Sequence, residues 1–127
     1  MRHPSLLLAA PIAAAAVLSL SSAAPAAASC QNLKVTPGLR ASLVAAHARP
    51  REGTIAPGSL YYGRCGKTYY AIGSFTKAGG DQPEKFRKLS GKAWADRGDG
   101  FEDGCSPGAR APIPKALVAL WHICGSL

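Results

Sequence analysis

The chain has 127 residues and a formal net charge of +8, with 15 basic residues against 7 acidic ones. This length allows one small domain and excludes a multidomain architecture. The charge favours attraction to anionic surfaces, but no long run of basic residues concentrates it, so composition alone names no partner.

Residues 1–28 have the composition of a secretory signal peptide. Arg2 supplies a basic start, an apolar run extends from Leu6 to Leu20, and small residues lead to Ala28. Serine and proline interrupt the apolar pattern before it reaches the about 20 residues that a membrane helix needs. We therefore expect cleavage after Ala28 and secretion of residues 29–127 as one monomeric domain without a transmembrane segment.

Cys30 offers an alternative, a lipid anchor that would hold the protein at the outer face of the membrane. Ala27 stands where a bacterial lipid-attachment motif has a large aliphatic residue. Lipidation would also remove one of four cysteines whose even number suggests two disulfides. Free secretion is the favoured prediction.

The first helix is predicted over Pro37–Ala48. Thr36 is a residue type that accepts a backbone N–H as N-cap, Pro37 suits the first helical position, and Pro50 ends the pattern. The apolar face has helical spacing and consists of Leu39, Leu43, Ala46 and His47.

The segment from Ser59 to Phe75 contains all four tyrosines and has the composition of a β-hairpin. We predict strands over Leu60–Gly63 and Thr68–Phe75, joined by a turn over residues 64–67. Both faces of the second strand are largely apolar, which is typical of a central strand covered on both sides.

A second, more exposed hairpin is predicted over Phe86–Leu89 and Ala93–Asp96, with Phe86, Leu89 and Trp94 as apolar anchors. Residues 76–83 and 96–114 are predicted loops because they are rich in glycine and proline.

A C-terminal helix is predicted from Pro114 to a cap at Gly125, with Trp121 in the core. Its apolar stripe is Leu117, Leu120, Trp121 and Cys124. The whole chain therefore predicts an α+β domain, an antiparallel meander of about four strands flanked by an N-terminal and a C-terminal helix.

Four cysteines allow three disulfide connectivities, among which the sequence alone does not choose. Proximity in the chain favours Cys30–Cys65 together with Cys105–Cys124. The cysteine spacings contain no paired-ligand motif, so no zinc site and no cofactor are predicted.

The inventory of catalytic groups is poor, and we predict that the protein is not an enzyme. No Gly-x-Ser-x-Gly motif is present, and the histidines beyond the leader, His47 and His122, are both predicted to pack inward. The acidic stretch Asp96–Asp103 is the one candidate for a hydrolase or an irregular ion site. Glycine at positions 98 and 100 breaks the alternating oxygen ligands of a calcium loop.

A binding surface is the favoured function. Tyrosines alternate with basic residues in the first hairpin, which is also the composition of a stacking surface for single-stranded nucleic acid, although tyrosine pairs in strands more often pack within the sheet. We expect no specific nucleic acid; the expected partner is an anionic cell-wall polymer or another secreted protein. The candidate residues are Tyr61, Tyr62, Arg64, Lys67 and Tyr69.

Arg110 suggests a different function, protease inhibition. It lies in a proline-braced loop after Cys105, and rigid loops lower the entropy cost of binding a protease. The same composition also describes an ordinary connecting loop.

Several segments resemble a group of small exported actinobacterial proteins of unknown function. These segments are Leu60–Gly63, Thr68–Phe75, Asp81–Phe86, Trp94–Asp99 and Ile113–Leu117. The resemblance covers most of the chain beyond the leader and implies export, but it assigns no catalytic or binding residue.

Overall fold

The computed structural model describes residues 29–48, 53–76, 80–100 and 105–124, so the predicted signal peptide lies outside the described residues. A five-stranded antiparallel sheet forms in the order β1-β2-β3-β4-β5, with helices in addition. The α+β prediction is confirmed. The elements are β1 (Cys30–Asn32), α1 (Pro37–Ala46), β2 (Tyr61–Cys65), β3 (Thr68–Phe75), β4 (Gln82–Leu89), β5 (Ala95–Asp99), α2 (Pro107–Arg110) and α3 (Lys115–Trp121).

The sheet has five strands rather than the predicted four because β1 adds an edge strand. Three residues are too few to show a period in the sequence. The pairing comes from the neighbouring strand, with Cys30 directly opposite Cys65 in the register. Both favoured disulfides, Cys30–Cys65 and Cys105–Cys124, are present.

In the first hairpin, β3 has the predicted bounds, Thr68–Phe75, and lies at the centre of the sheet. β2 continues to Cys65, so the turn contains only Gly66 and Lys67 rather than four residues. Gly66 has φ of 61°, a left-handed conformation that two-residue hairpin turns require and that glycine adopts without strain.

The second hairpin differs more from its prediction. β4 begins at Gln82, in a segment predicted as loop, because these residues pair along the whole of β3. Pro83 lies near the start of the strand, where a missing N–H is tolerated. The hairpin is not uniformly exposed, since Glu84, Lys85 and Phe86 are buried, whereas the predicted anchor Leu89 is 49% exposed.

The two faces of the sheet carry two hydrophobic clusters. One cluster joins the sheet to α3 and includes Tyr70, Ile72, Leu117, Val118 and Trp121. The other joins the opposite face to α1 and includes Leu39, Leu43, Ala71, Phe75 and Phe86. Burial of both faces explains why β3 reads as continuously apolar.

Both main helices end differently from their predictions. α1 stops at Ala46 with His47 as C-cap, two residues early. α3 begins at Lys115 after Pro114, and its C-cap is His122 with φ of 55°, while the predicted cap Gly125 lies outside the described residues. Because the helix ends there, His122 is exposed rather than packed inward.

Two further points concern the C-terminal part. Leu120, predicted in the apolar stripe, is 44% exposed, because α3 turns only Leu117, Val118 and Trp121 toward the sheet. The predicted loop contains α2, whose cap Ser106 accepts a hydrogen bond from Ala109 N. Within the described ranges no helix is long and apolar enough to cross a membrane.

Candidate functional site

Half-buried aromatic and basic side chains occupy the α1 side of the sheet beside the buried cluster. The register aligns Arg64, Tyr69 and Lys88 as direct neighbours across β2, β3 and β4. Successive residues of a strand point to opposite faces, so these three side chains share one face. Together with Tyr62 and Trp94 they form what we call the aromatic-basic surface.

Ring and cation contacts join these five side chains. The Tyr62 ring stacks on the Tyr69 ring at 6.1 Å and meets the Trp94 ring edge-on at 6.0 Å. Lys88 Nζ lies 5.3 Å from the centre of the Tyr69 ring and 5.4 Å from that of Trp94. Arg64 Cζ lies 6.0 Å from Tyr69 on its other flank. Cations at these distances are attracted by the ring faces, so charge and aromatic surface are held together.

The ionisation of Tyr62 reflects its half-buried position on this surface. Burial raises the pKa of Tyr62, the nearby Tyr69 raises it further, and Arg64 partly offsets both. An ordinary tyrosine is already neutral at neutral pH, so the raised pKa moves ionisation to still more alkaline solution.

Two open recesses lie near the β4–β5 connection. The larger, about 450 Å³, extends the aromatic-basic surface between α1 and Trp94 and includes Lys88 and Lys92. The smaller, about 210 Å³, lies at the edge of the sheet and is lined by four basic residues, Arg87, Lys88, Lys92 and Arg97. Strand alternation points Arg87 and Arg97 to the α3 face, so only Lys88 and Lys92 add charge to the aromatic-basic surface. These two lysines beside the Trp94 ring suit a negatively charged group next to a flat ring.

The structure brings together only part of the predicted binding set. Tyr62, Arg64 and Tyr69 lie on the aromatic-basic surface, with Arg64 also donating to Gln31 Oε1 at 2.6 Å. Tyr61 points to the opposite face, where its ring lies 6.0 Å from that of Trp121. Lys67 is exposed in the hairpin turn.

Arg110 lies away from this surface, at the end of α2. Lys85 on the α3 face of β4 donates from Nζ to Ala109 O at 2.8 Å and to Ala111 O at 2.7 Å, which places α2 on that face. Burial lowers the pKa of Lys85, and the carboxylates of Asp99 and Glu84 act against it. Arg110 Nε and Nη1 are buried without a hydrogen-bond partner.

Lys88 and Trp94 are the members that the sequence reading did not assign to binding. Both lie in the predicted second hairpin, and Trp94 was taken only as a packing anchor. Their place beside Tyr69 depends on the register of β3 with β4. The available signal was that Lys88 lies two residues after Phe86, and therefore on the same face of the strand, but this spacing does not identify the neighbour across the sheet.

A second group of polar side chains is buried where α1 ends. His47, the C-cap of α1, meets Glu84 of β4 and Asp96 of β5, and one ligand-type atom from each lies within 4.8 Å of the others. Their side chains are only 2%, 2% and 7% exposed. The His47 ring stacks on Phe75 with centroids 3.9 Å apart, which confirms the prediction that it packs inward.

Asp96 is held firmly in this cluster. Its Oδ2 accepts from Ala48 N at 2.8 Å and lies 3.1 Å from His47 Nδ1, while its Oδ1 accepts from Gly98 N at 2.8 Å. Burial by itself would raise the pKa of the Asp96 carboxyl. Hydrogen bonds, first with Glu84 and then with the amides and His47, outweigh burial and hold that pKa below its ordinary value.

The acidic stretch is thus divided by the structure. Asp96 joins the buried cluster, and Asp99 lies opposite Glu84 in the β4–β5 register. Glu102 and Asp103 fall among residues 101–104, outside the described ranges.

Comparison of the chain with protein-family models, with curated proteins and with solved structures yields no match.

Proposed function

We propose that this protein is an exported, non-enzymatic binding module whose aromatic-basic surface binds an anionic polymer at or outside the cell envelope. The observation that carries the proposal is the row Arg64–Tyr69–Lys88, flanked by Tyr62 and Trp94 on one face of the sheet. Rings of a polymer would stack on the aromatic side chains, and the basic side chains would neutralise its charges.

A polymer is favoured over a small molecule because the surface is open and extended. Arg64 and Lys88 flank Tyr69, and Lys92 joins Lys88 in the larger recess, so the positive charge continues over several residues. Neutralising successive charges of a polymer with basic side chains gives an affinity that falls as salt increases. Small-molecule sites are more enclosed and mostly apolar.

Secretion in a free form accompanies this proposal. Two disulfides are typical of an oxidising, extracellular compartment. The bond to Cys65 uses the Cys30 sulfur, the atom that a lipid anchor would need. We therefore propose a freely diffusing, monomeric protein rather than a lipid-anchored one.

The test is co-sedimentation of the purified protein with isolated cell wall, before and after chemical removal of its anionic polymer. We expect retention that requires the polymer and falls as salt rises from about 0.05 to about 0.5 M. Lys88→Gln is expected to weaken binding about tenfold, which corresponds to about 1.4 kcal/mol.

Lys115→Gln is the matched control, because Lys115 is an exposed lysine at the start of α3 on the other face of the sheet. Lys115→Gln removes the same charge as Lys88→Gln, and we expect its retention to differ from that of the wild type by less than about twofold. Equal losses in both variants would mean that net charge alone drives the binding. A different outcome is that the protein binds a single-stranded oligonucleotide, that Lys88→Gln weakens this binding, and that isolated cell wall retains no protein. That result would identify nucleic acid, rather than the anionic polymer, as the ligand of this surface.

The alternative of protease inhibition receives less support from the geometry. The segment around Arg110 is a helical turn that Lys85 ties to the sheet, rather than a projecting extended loop. Hydrolysis through the acidic stretch also gains little, because both oxygens of Asp96 already accept backbone hydrogen bonds. Unimpeded trypsin and subtilisin in titrations with the protein would remove the first alternative.

A further inference from the structure

We propose that His47, Glu84 and Asp96 form a binding site for a divalent transition metal of the zinc type, and that the metal fastens α1 to the sheet. The site is separate from the aromatic-basic surface and does not depend on the function proposed for it. It also departs from the sequence prediction of no metal site, which considered the cysteine spacings and the acidic stretch Asp96–Asp103 but not ligands from α1 and β4.

The first support is the spacing of the donor atoms. His47 Nδ1 lies 3.1 Å from Asp96 Oδ2 and 3.9 Å from Glu84 Oε1. Zinc bonds to histidine and carboxylate ligands are about 2.1 Å long, so neighbouring ligands of a tetrahedral ion are about 3.4 Å apart. The two observed separations lie on either side of this value. Small side-chain movements would bring the three donors to one ion.

The second support is the balance of charge in a buried place. The three side chains are at most 7% exposed, and two of them are carboxylic acids. With a neutral imidazole the ionised cluster carries two negative charges. The cation described as interacting with it, Lys85, lies on the other face of β4, where it donates to backbone carbonyls. Buried charge without a close partner is costly. A divalent cation would neutralise both charges. The alternative is a proton held between Glu84 and Asp96, and the experiment below separates the two.

The surroundings of the cluster also favour a cation. His47 caps the C-terminal end of α1, where the helix dipole is negative. Phe75 and Phe86 pack against the His47 ring and limit contact with water. The amides of Ala48 and Gly98 orient Asp96, as outer hydrogen bonds commonly orient metal ligands.

The donor types select the ion. Calcium takes six to eight oxygen ligands, roughly twice what this compact cluster offers, and magnesium keeps several waters. One imidazole nitrogen with two carboxylate oxygens instead suits zinc and its first-row neighbours. The ligands come from the end of α1 and from the β4–β5 hairpin, so the bound ion would act structurally by linking the helix to two strands that are distant from it in the sequence.

The test uses the full disulfide-bonded protein after treatment with a chelator and dialysis. We expect titration calorimetry to show one equivalent of Zn²⁺ bound, with a rise in the unfolding temperature that EDTA reverses. Co²⁺ is expected to bind in its place and to give visible absorption bands from an ion coordinated by the protein. Calcium and magnesium at the same concentration should leave the unfolding temperature unchanged.

Glu84→Gln keeps the size of the side chain but removes one anionic ligand, and it is expected to weaken Zn²⁺ binding at least tenfold. His122→Gln and Asp81→Asn are the controls, because both residues are exposed and lie outside the cluster. They should bind as the wild type does. The wild-type calorimetry and Co²⁺ spectrum remain informative even if Glu84→Gln folds poorly.

Three results would overturn the proposal. The first is a wild-type protein that takes up no Zn²⁺ or Co²⁺. The second is unchanged binding in Glu84→Gln, or binding that His122→Gln abolishes. The third is carboxyl NMR that shows a protonated Glu84 at neutral pH in a sample to which Zn²⁺ has been added, which would identify the cluster as a carboxyl pair sharing a proton.

Discussion

The two faces of the sheet are built on different physical principles. On the α3 face, Leu117 and Trp121 pack into an apolar cluster that also contains cysteines of both disulfides. On the α1 face, an apolar cluster gives way at one end to buried His47, Glu84 and Asp96, and at another to the aromatic-basic surface. The α3 face is mainly apolar and cross-linked, with Lys85 bonded to backbone carbonyls as its buried charge, while the α1 face combines packing with a larger group of charged side chains.

This difference separates stability from recognition. A small domain buries a limited apolar area, so disulfides add to its stability. Here the cysteines of both disulfides lie in the hydrophobic cluster on the face that carries α3. The other face is then able to expose aromatic and basic side chains without losing the fold. We infer that substitutions on the α3 face act mainly on the free energy of unfolding, and those on the aromatic-basic surface mainly on binding.

The largest effect is expected from Leu117→Ala in α3. Leu117 is fully buried at 0% exposure, so its truncation removes apolar contacts and leaves a cavity. We expect a loss of about 2–5 kcal/mol in the free energy of unfolding, measured by denaturant titration. Leu120→Ala in the same helix is the control, because Leu120 is 44% exposed and should cost under about 1 kcal/mol. Similar losses in the two variants would contradict the packing of α3 described above.

The disulfides are expected to have the next largest effects. Replacing either pair by serine should reduce the free energy of unfolding by roughly 2–4 kcal/mol. Cys30–Cys65 spans 35 residues and Cys105–Cys124 spans 19, so the entropy of loop closure predicts about 0.5 kcal/mol more for the first. Denaturant titration of the two double variants measures the difference. A larger loss for Cys105–Cys124 would show that native contacts outweigh chain entropy.

The smallest effect concerns the ionisation of Tyr62. Burial and Tyr69 raise the pKa of Tyr62, and Arg64 lowers it. Ultraviolet titration should therefore show a higher Tyr62 pKa in Arg64→Gln and a lower one in Tyr69→Phe than in the wild type. Each protein is also titrated in a version that carries Tyr62→Phe in addition. Subtracting that second titration curve from the first leaves the ionisation of Tyr62 alone. A pKa of Tyr62 that neither substitution moves would contradict the close packing of this surface.

Local patterns explain which expectations were confirmed. The start of α1 depends on Thr36 and Pro37, whose effects reach only a few residues along the chain. The extent of β3 follows from a continuous apolar run. Even the disulfide pairing agreed with sequence proximity, although Cys30 meets Cys65 through strand pairing that proximity does not describe. By contrast, the predicted start of β4 was wrong, because the extended conformation of Gln82 depends on pairing with Phe75 in the neighbouring strand.

The candidate sites were less predictable than the elements. The pattern within one hairpin grouped Tyr62, Arg64 and Tyr69 with Tyr61 as candidate binding residues. The structure places the first three on one face and Tyr61 on the other, where its ring meets Trp121. Of the buried cluster, the sequence singled out Asp96, as the first residue of the acidic stretch, and His47, as a residue that packs inward, but nothing joined them to each other or to Glu84. His47 lies 49 residues before Asp96, so no local pattern links the helix end to the β4–β5 hairpin.

The amino-acid sequence by itself determined the α+β class, the start of α1 and the central tyrosine hairpin, because capping, turn formation and hydrophobic periodicity act between near neighbours. Only the tertiary structure decided that Lys88 lies beside Tyr69 and that His47 meets Glu84 and Asp96. Those contacts depend on strand register and on the docking of α1. Both are set by packing between segments that are distant in the chain, which no local pattern encodes.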